Sequence, residues 1–267
     1  MRRASTLRGR QPVARLAFER LTRDEIGAIA PDSVALLPTA SIEQHGPQCP
    51  VGLDTMCCSA VANAAADAVG DDLQIVVCPP QPYGSSHHHL PFPGVLTLTS
   101  QTFAVVLAEI LESLWLSGFR RVLVLNGHGG NTQLIQQAAR DFVLRRHDMR
   151  VSAGCYWDIA RDALEAVTTP RPVRIPGHGG DFETALMLHL HPDLIHTELI
   201  PVEGSSPTAF ASGLPNVTHA AWEGMPGARA TGLSDDAAQA TAELGRQYFE
   251  TAVAEVATLL RGLAEGA

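Results

Sequence analysis

The chain contains no lysine; its 19 basic residues are all arginines. That excludes Schiff-base catalysis and a GxxxxGK phosphate loop, both of which need an ε-ammonium. No run of about 18 apolar residues occurs, so the sequence offers no membrane-spanning helix. It has no GxSxG nucleophile elbow and no HExxH helix. There is no CxxC pair either. The five cysteines, Cys49, Cys57, Cys58, Cys78 and Cys155, are odd in number and two are adjacent. This is the pattern of a reduced, cytoplasmic protein rather than of a disulfide framework. Positive charge is in deficit too: a net charge of −9 argues against nucleic acid and leaves a small molecule as the expected partner.

What is present suffices for one large α/β domain, with 267 residues of which 45% are hydrophobic. Residues 1–30 read as an Arg-rich tail and an entry helix; the tail has no acid before Glu19 and no apolar signal core. Residues 31–267 form the domain proper. Short β-like runs at 33–38, 73–79, 120–126 and 151–157 alternate with helical stretches at 55–68, 100–117, 131–147, 158–166, 181–190 and 235–263. Asp54 or Thr55 and Ser100 are candidate caps, and Gly118 is a candidate stop. Residues 201–232, rich in Gly and Pro, read as irregular. The alternation predicts a mainly parallel sheet with helices on both faces.

Ligands of such sheets bind beyond the carboxyl ends of the strands. The unusual polar residues fall there. Glu43 and His45 follow the first predicted strand, SSHHHLPFPG (85–94) the second, and NGHGGN (126–131) the third; Tyr156 and Trp157 close the fourth. Glu43-x-His45 points two donors the same way in an extended segment. Asp54, at a helix start, has a carboxylate able to bridge two cations; the plain alternative is a capped surface turn. In NGHGGN the glycines allow close backbone approach around His128, but the motif matches neither nucleotide-binding pattern. GHGGDFET (177–184) opens a helix. The helix start accounts for Asp181 but not for His178, which fits better as a neutral base or ligand. Of His87, His88 and His89, one is a candidate ligand or substrate contact. His189 and His191 read as structural, and Cys155 as a buried thiol.

These segments together resemble the creatininase family. The resemblance rests on IEQHGPQCPVGLD, PYGSSHHHLPFPGVLTL, NGHGGN, CYWD and HGGDFETALMLHLHPDLI, in that order, and spans roughly residues 33–196. It implies a three-layer α/β/α sandwich, a two-metal site for Zn2+ or Mn2+, hydrolysis of a C–N amide bond, and a homo-oligomer, typically a hexamer. Carried over, Glu43 and His128 would hold one metal, His45 the other, and Asp54 would bridge them. His178 would be the acid/base group, with His89, Tyr156 and Trp157 at the substrate. The chain departs from creatininase itself at Gly130, where a Glu is expected; Glu183 is the expected replacement, as ligand and catalytic carboxylate. It departs again before HGG, where Arg174 stands in a stretch lacking the second substrate-covering Trp, which suits an anionic substrate.

Several substrates therefore compete: creatinine or another cyclic amide, a formylaminopyrimidine nucleotide, a small peptide, and a cyclic inositol-derived ketone. Outside the enzymes stand a non-catalytic metal-binding protein and a nucleotide-binding regulator using NGHGGN.

Overall fold

The structure, a computed structural model, describes residues 15–70, 73–201 and 232–265. Most of the stretch expected to be irregular, 202–231, lies outside the described residues. Five strands form one all-parallel sheet: β1 (Arg15–Ala17), β2 (Val34–Thr39), β3 (Ile75–Val77), β4 (Arg121–Asn126) and β5 (Arg150–Cys155). Their spatial order is β1-β3-β2-β4-β5. The sequence reading did not assign β1, because three residues carry no periodic signal. It pairs with β3 along Ile75–Val77.

Every residue of β2 is buried, as a central parallel strand requires. The pleat sends alternate side chains to opposite faces. Val34, Leu36, Ile75, Val77, Leu123 and Leu125 join one core. Ala35, Leu37, Val76, Val122 and Val124 join the other. Helices α2 (Leu53–Ala68), α7 (Asp181–Leu190) and α8 (Ala242–Glu265) cover the first face. Helices α1 (Arg23–Ile29), α3 (Ser100–Leu116) and α4 (Thr132–Val143) cover the second. The fold is thus the expected α/β/α sandwich.

Helix ends differ from the sequence reading in informative ways. The cap of α3 is Thr99, whose Oγ1 accepts from Thr102 N, one residue before Ser100. Gly118 stops that helix at φ +104°, a conformation that favours glycine. The single helix expected at 158–166 is two short turns, α5 (Tyr156–Ile159) and α6 (Arg161–Glu165), and Tyr156 and Trp157 open the first. The last helix starts at Ala242 rather than 235, because the residues before it pair with the 178–181 turn. Ser234 N donates to His178 O, and Asp181 N donates to Asp236 O. The N-cap of α2 is Gly52, so Asp54 sits inside the first turn and does not cap it.

The topology fixes where a site can form. β2 and β4 are neighbours, yet β2 leads into α2 on one face and β4 into α4 on the other. The diverging loops leave a crevice at the carboxyl ends of these two strands.

Candidate metal centre

Glu43 and His45 stand on the β2–α2 loop. Glu43 N donates to Val51 O at 3.0 Å, and Gly46 turns the chain at φ +73°. His128 follows β4. Its loop is tied down by asparagines: Asn126 Nδ2 donates to His128 O at 2.6 Å, while Asn131 Nδ2 donates to Ala40 O at 3.0 Å. Asn131 Oδ1 accepts from Ser85 N at 2.9 Å. NGHGGN therefore binds the neighbouring loops through its asparagines. His178 and Glu183 come from the turn into α7, where Gly179 N donates to Glu183 Oε2 at 2.6 Å.

These side chains converge on Asp54. One Asp54 oxygen, Oδ1, lies 3.0 Å from His45 Nε2. The other, Oδ2, lies 3.0 Å from His128 Nδ1. Glu43 Oε2 is 3.3 Å from His128 Nδ1, and Glu183 Oε2 is 3.8 Å from His45 Nε2. Four donor groups result among the described residues, with donor atoms in each within 4.8 Å of one another: Glu43/Asp54/His128 and His45/Asp54/Glu183 share Asp54, while Glu43/His45/His178 and Glu43/His88/His89 share Glu43. His89 Nε2 and His178 Nδ1 approach Glu43 Oε1 at 3.4 and 3.5 Å. All of these residues but the half-buried His88 are buried, His178 the most exposed of them at 7%.

The charge balance is unusual. Three buried carboxylates meet imidazoles as their ion-pair partners. Burial opposes charge on His45, but Asp54, Glu183 and Glu43 outweigh it and push its pKa up to about 10. His128 is raised well above its ordinary value by Glu43 and Asp54, again against burial. Burial alone would raise Glu43, yet His128, by its charge and its hydrogen bond, holds it well below the carboxylate range. Glu183 goes the other way: burial, then Asp54 and Asp235, lift it to about 8, although His45 and the Gly179 N–H pull it down. Burial keeps His178 and His89 neutral, with neighbouring histidines adding to the effect; His89 falls to about 3.

A divalent cation fits this set. His45 Nε2 and Asp54 Oδ2 are buried and make no well-aligned hydrogen bond, their nearest polar neighbours being Asp54 Oδ1 and His128 Nδ1, each at 3.0 Å. Unpaired buried polar atoms are costly and point to a missing partner. Mixed imidazole and carboxylate donors suit Zn2+ or Mn2+. Protons on His45 and His128 otherwise supply the compensating charge.

The remaining candidates fall in different places. Gly130 leaves no room for a side chain, since a Cβ there would lie 2.5 Å from His128 Nε2 and strike Ser85 O. Glu183 stands beside His45 instead. Tyr156 and Trp157 are core residues, 2% and 3% exposed, packed edge to face with centroids 4.9 Å apart. Arg174 is exposed, and its charge acts on Asp235. Sequence reasoning missed three residues that support the cluster. Ser86 Oγ donates to Glu43 Oε2. Asp235 Oδ1 accepts from His178 N at 3.1 Å. Gln44, read as a spacer between two donors, contacts both His89 and His178. Gln44 carried a signal, its place inside the donor motif, and Ser86 lies in the SSHHHLPFPG segment, whereas Asp235 carried none.

The comparisons agree with this architecture. The pattern that defines the creatininase family, described as creatinine amidohydrolase, matches residues 19–260. The chain is 30% identical over 223 residues to a mycofactocin precursor peptide peptidase of Mycolicibacterium smegmatis, covering 81% of this chain and 79% of the relative. It is 31% identical over 190 residues to the creatinine amidohydrolase of Pseudomonas putida, covering 66% and 71%. A 3-dehydro-scyllo-inosose hydrolase of Thermotoga maritima is 26% identical, covering 86% and 77%. The crystal structure of a creatinine amidohydrolase superposes with a TM-score of 0.78 at 28% identity, covering 93% of this chain and 98% of that one. A creatininase structure described as a Mn form superposes with a TM-score of 0.77 at 28% identity, covering 92% and 98%. Fold and site together define an α/β/α-layered protein with a buried His/Asp/Glu cluster. The chain belongs to the creatininase family.

Proposed function

We propose that this chain is a metal-dependent hydrolase of carbon–nitrogen bonds that holds two divalent cations, Zn2+ or Mn2+. The observation that carries the reading is Asp54, whose two buried oxygens each lie 3.0 Å from a histidine of a different donor group, His45 and His128. Glu43, Asp54 and His128 would hold one ion; His45, Asp54 and Glu183 would hold the other. Paired divalent cations supply Lewis acidity, which acidifies water and polarises a carbonyl. The protein's own part is geometry and proton transfer. His178, kept neutral by burial and its histidine neighbours, presents Nδ1 to the cluster. From there it takes a proton from water and returns it to the leaving nitrogen. The Asn126–Asn131 network fixes the His128 loop before substrate arrives.

A cyclic or formyl amide is the substrate class we favour, with a small peptide as the second reading, because a relative at 30% identity is a peptide peptidase. Both are C–N bonds. Gly130, which leaves no space for a glutamate, argues against creatinine itself. A homo-oligomer and a cytoplasmic location belong to the same proposal; the buried, free cysteines support a reducing compartment.

Metal content per chain, measured by plasma mass spectrometry on protein purified without chelators, tests the site. About two ions in the wild type and about one in Glu183→Ala are expected. Well under one ion per chain, with no uptake on reconstitution, would overturn the proposal. A panel of cyclic amides, formamides and short peptides then decides the substrate class.

A further inference from the structure

We propose that Gln44 is a positioning residue that sets the tautomer of His89 and joins three loops around the cluster. Its orientation is fixed by chemistry. Gly46 N, which can only donate, lies 2.9 Å from one end of the amide, so that end is Oε1. The other end is therefore the NH2 group, whose contacts are Gly232 O at 2.9 Å, His89 Nδ1 at 2.9 Å and His178 Nε2 at 3.0 Å. Two hydrogens must be shared among three neighbours.

The main chain resolves the sharing. Gly232 O can only accept, so it takes one hydrogen. His178 Nε2 also lies 2.7 Å from the Gln44 carbonyl oxygen, which can only accept. That ring nitrogen therefore carries its own proton and takes none from the amide. The second amide hydrogen goes to His89 Nδ1, which must be bare. His89 then carries its proton on Nε2, where it faces Glu43 Oε1 at 3.4 Å. The Gln44 carbonyl does the complementary task for His178: it holds Nε2–H and turns Nδ1 towards Glu43.

One side chain thus ties the β2–α2 loop to the 87–89 turn and to the segment entering at Gly232, and its main-chain carbonyl adds the 178 turn. A backbone at Gly232 with φ +74° allows this, since a Cβ there would run into the Gln44 amide. The opposite tautomer of His89, protonated on Nδ1, would need an acceptor there, and the acceptor of the Gln44 side chain, Oε1, is turned to Gly46 N. The role given to the His178 orientation rests on the functional reading above; the His89 tautomer does not.

The test is a long-range 1H–15N correlation spectrum of histidine-labelled protein as purified, with His89 assigned by loss of its signals in His89→Gln. The wild type is expected to show His89 protonated on Nε2 alone. In Gln44→Met, which keeps the bulk and removes the donor, that single-tautomer signature is expected to be lost. His89 protonated on Nδ1 in the wild type would overturn the inference, even if Gln44→Met failed to fold. So would an unchanged His89 signature in a folded Gln44→Met. A silent amide panel beside the expected tautomer would remove only the functional reading.

Discussion

The two faces of the sheet differ at one helix: the large side chains of the first layer, such as Phe182, Tyr248 and Leu260, come from α7 and α8, whereas α2 packs on the sheet with mostly small ones. On the α2 face the helix buries Cys57, Cys58, Val61, Ala62, Ala65 and Ala66. On the other face the filling is large: Phe103, Leu107, Leu111, Phe119 and Phe142. The α2 layer also supplies Asp54 and Glu183 to the cluster, whereas the helices of the second layer supply none of its members. Small side chains explain the pairing of these facts. They let α2 approach the end of β4 so closely that a Cβ at Gly127 would lie 2.6 Å from the Cβ of Cys58 and 2.9 Å from Asp54 O. Close approach brings the first turn of α2, with Asp54, under both His45 and His128. The second layer has no such constraint and simply buries apolar area.

Three changes break or sharpen this contrast. The largest effect is expected from Asp54→Ala. It removes the residue common to both proposed ion sites, so metal content should fall below one ion per chain and hydrolysis by at least about 100-fold. Metal analysis and the amide panel check this. Next is Phe103→Ala, on the other layer, which should cost about 3–5 kcal/mol of stability by leaving a cavity. Metal per folded chain should not change, and urea unfolding with metal analysis of the folded fraction reads both. If metal were lost as well, the two layers would not be separable. A smaller, graded effect is expected from pH after chelation. His45 is raised from 6.5 to about 10 by its carboxylate neighbours, against burial. A group whose folded pKa is raised stabilises fully below its unfolded value and loses that contribution as pH rises through the folded one. The chelated protein should therefore lose thermal stability between about pH 6.5 and 10, and the metal-loaded protein should not follow that slope. Thermal melts across that range decide it.

Local chemistry made much of the fold legible. The buried runs around β2 and β4 and the alternation of strand and helix specify a parallel sheet, because a strand buried on both faces has to be apolar throughout. Short or interrupted elements were not legible. β1 is three residues long, and the 158–166 stretch breaks at Ala160, where the backbone leaves the helical region. Asp54 shows how a local rule misleads. An acid at a helix start reads as a cap, but here it lies two residues beyond the cap, Gly52, and its oxygens each lie 3.0 Å from a histidine.

The sequence by itself determined which residue types gather at the strand ends, since turn-forming Gly and Pro, the Glu43-x-His45 spacing and the NGHGGN and HGGD segments are all local patterns. Only the tertiary structure decided who meets whom. The strand order sets β2 beside β4, which brings loops distant in sequence to a single crevice. Packing of α7 carries Glu183 to His45, and packing of the 232–236 segment carries Gly232 to Gln44 and Asp235 to the 178 turn. It also sends Tyr156 and Trp157 into the core. Such contacts depend on long-range burial, which no short window of sequence encodes.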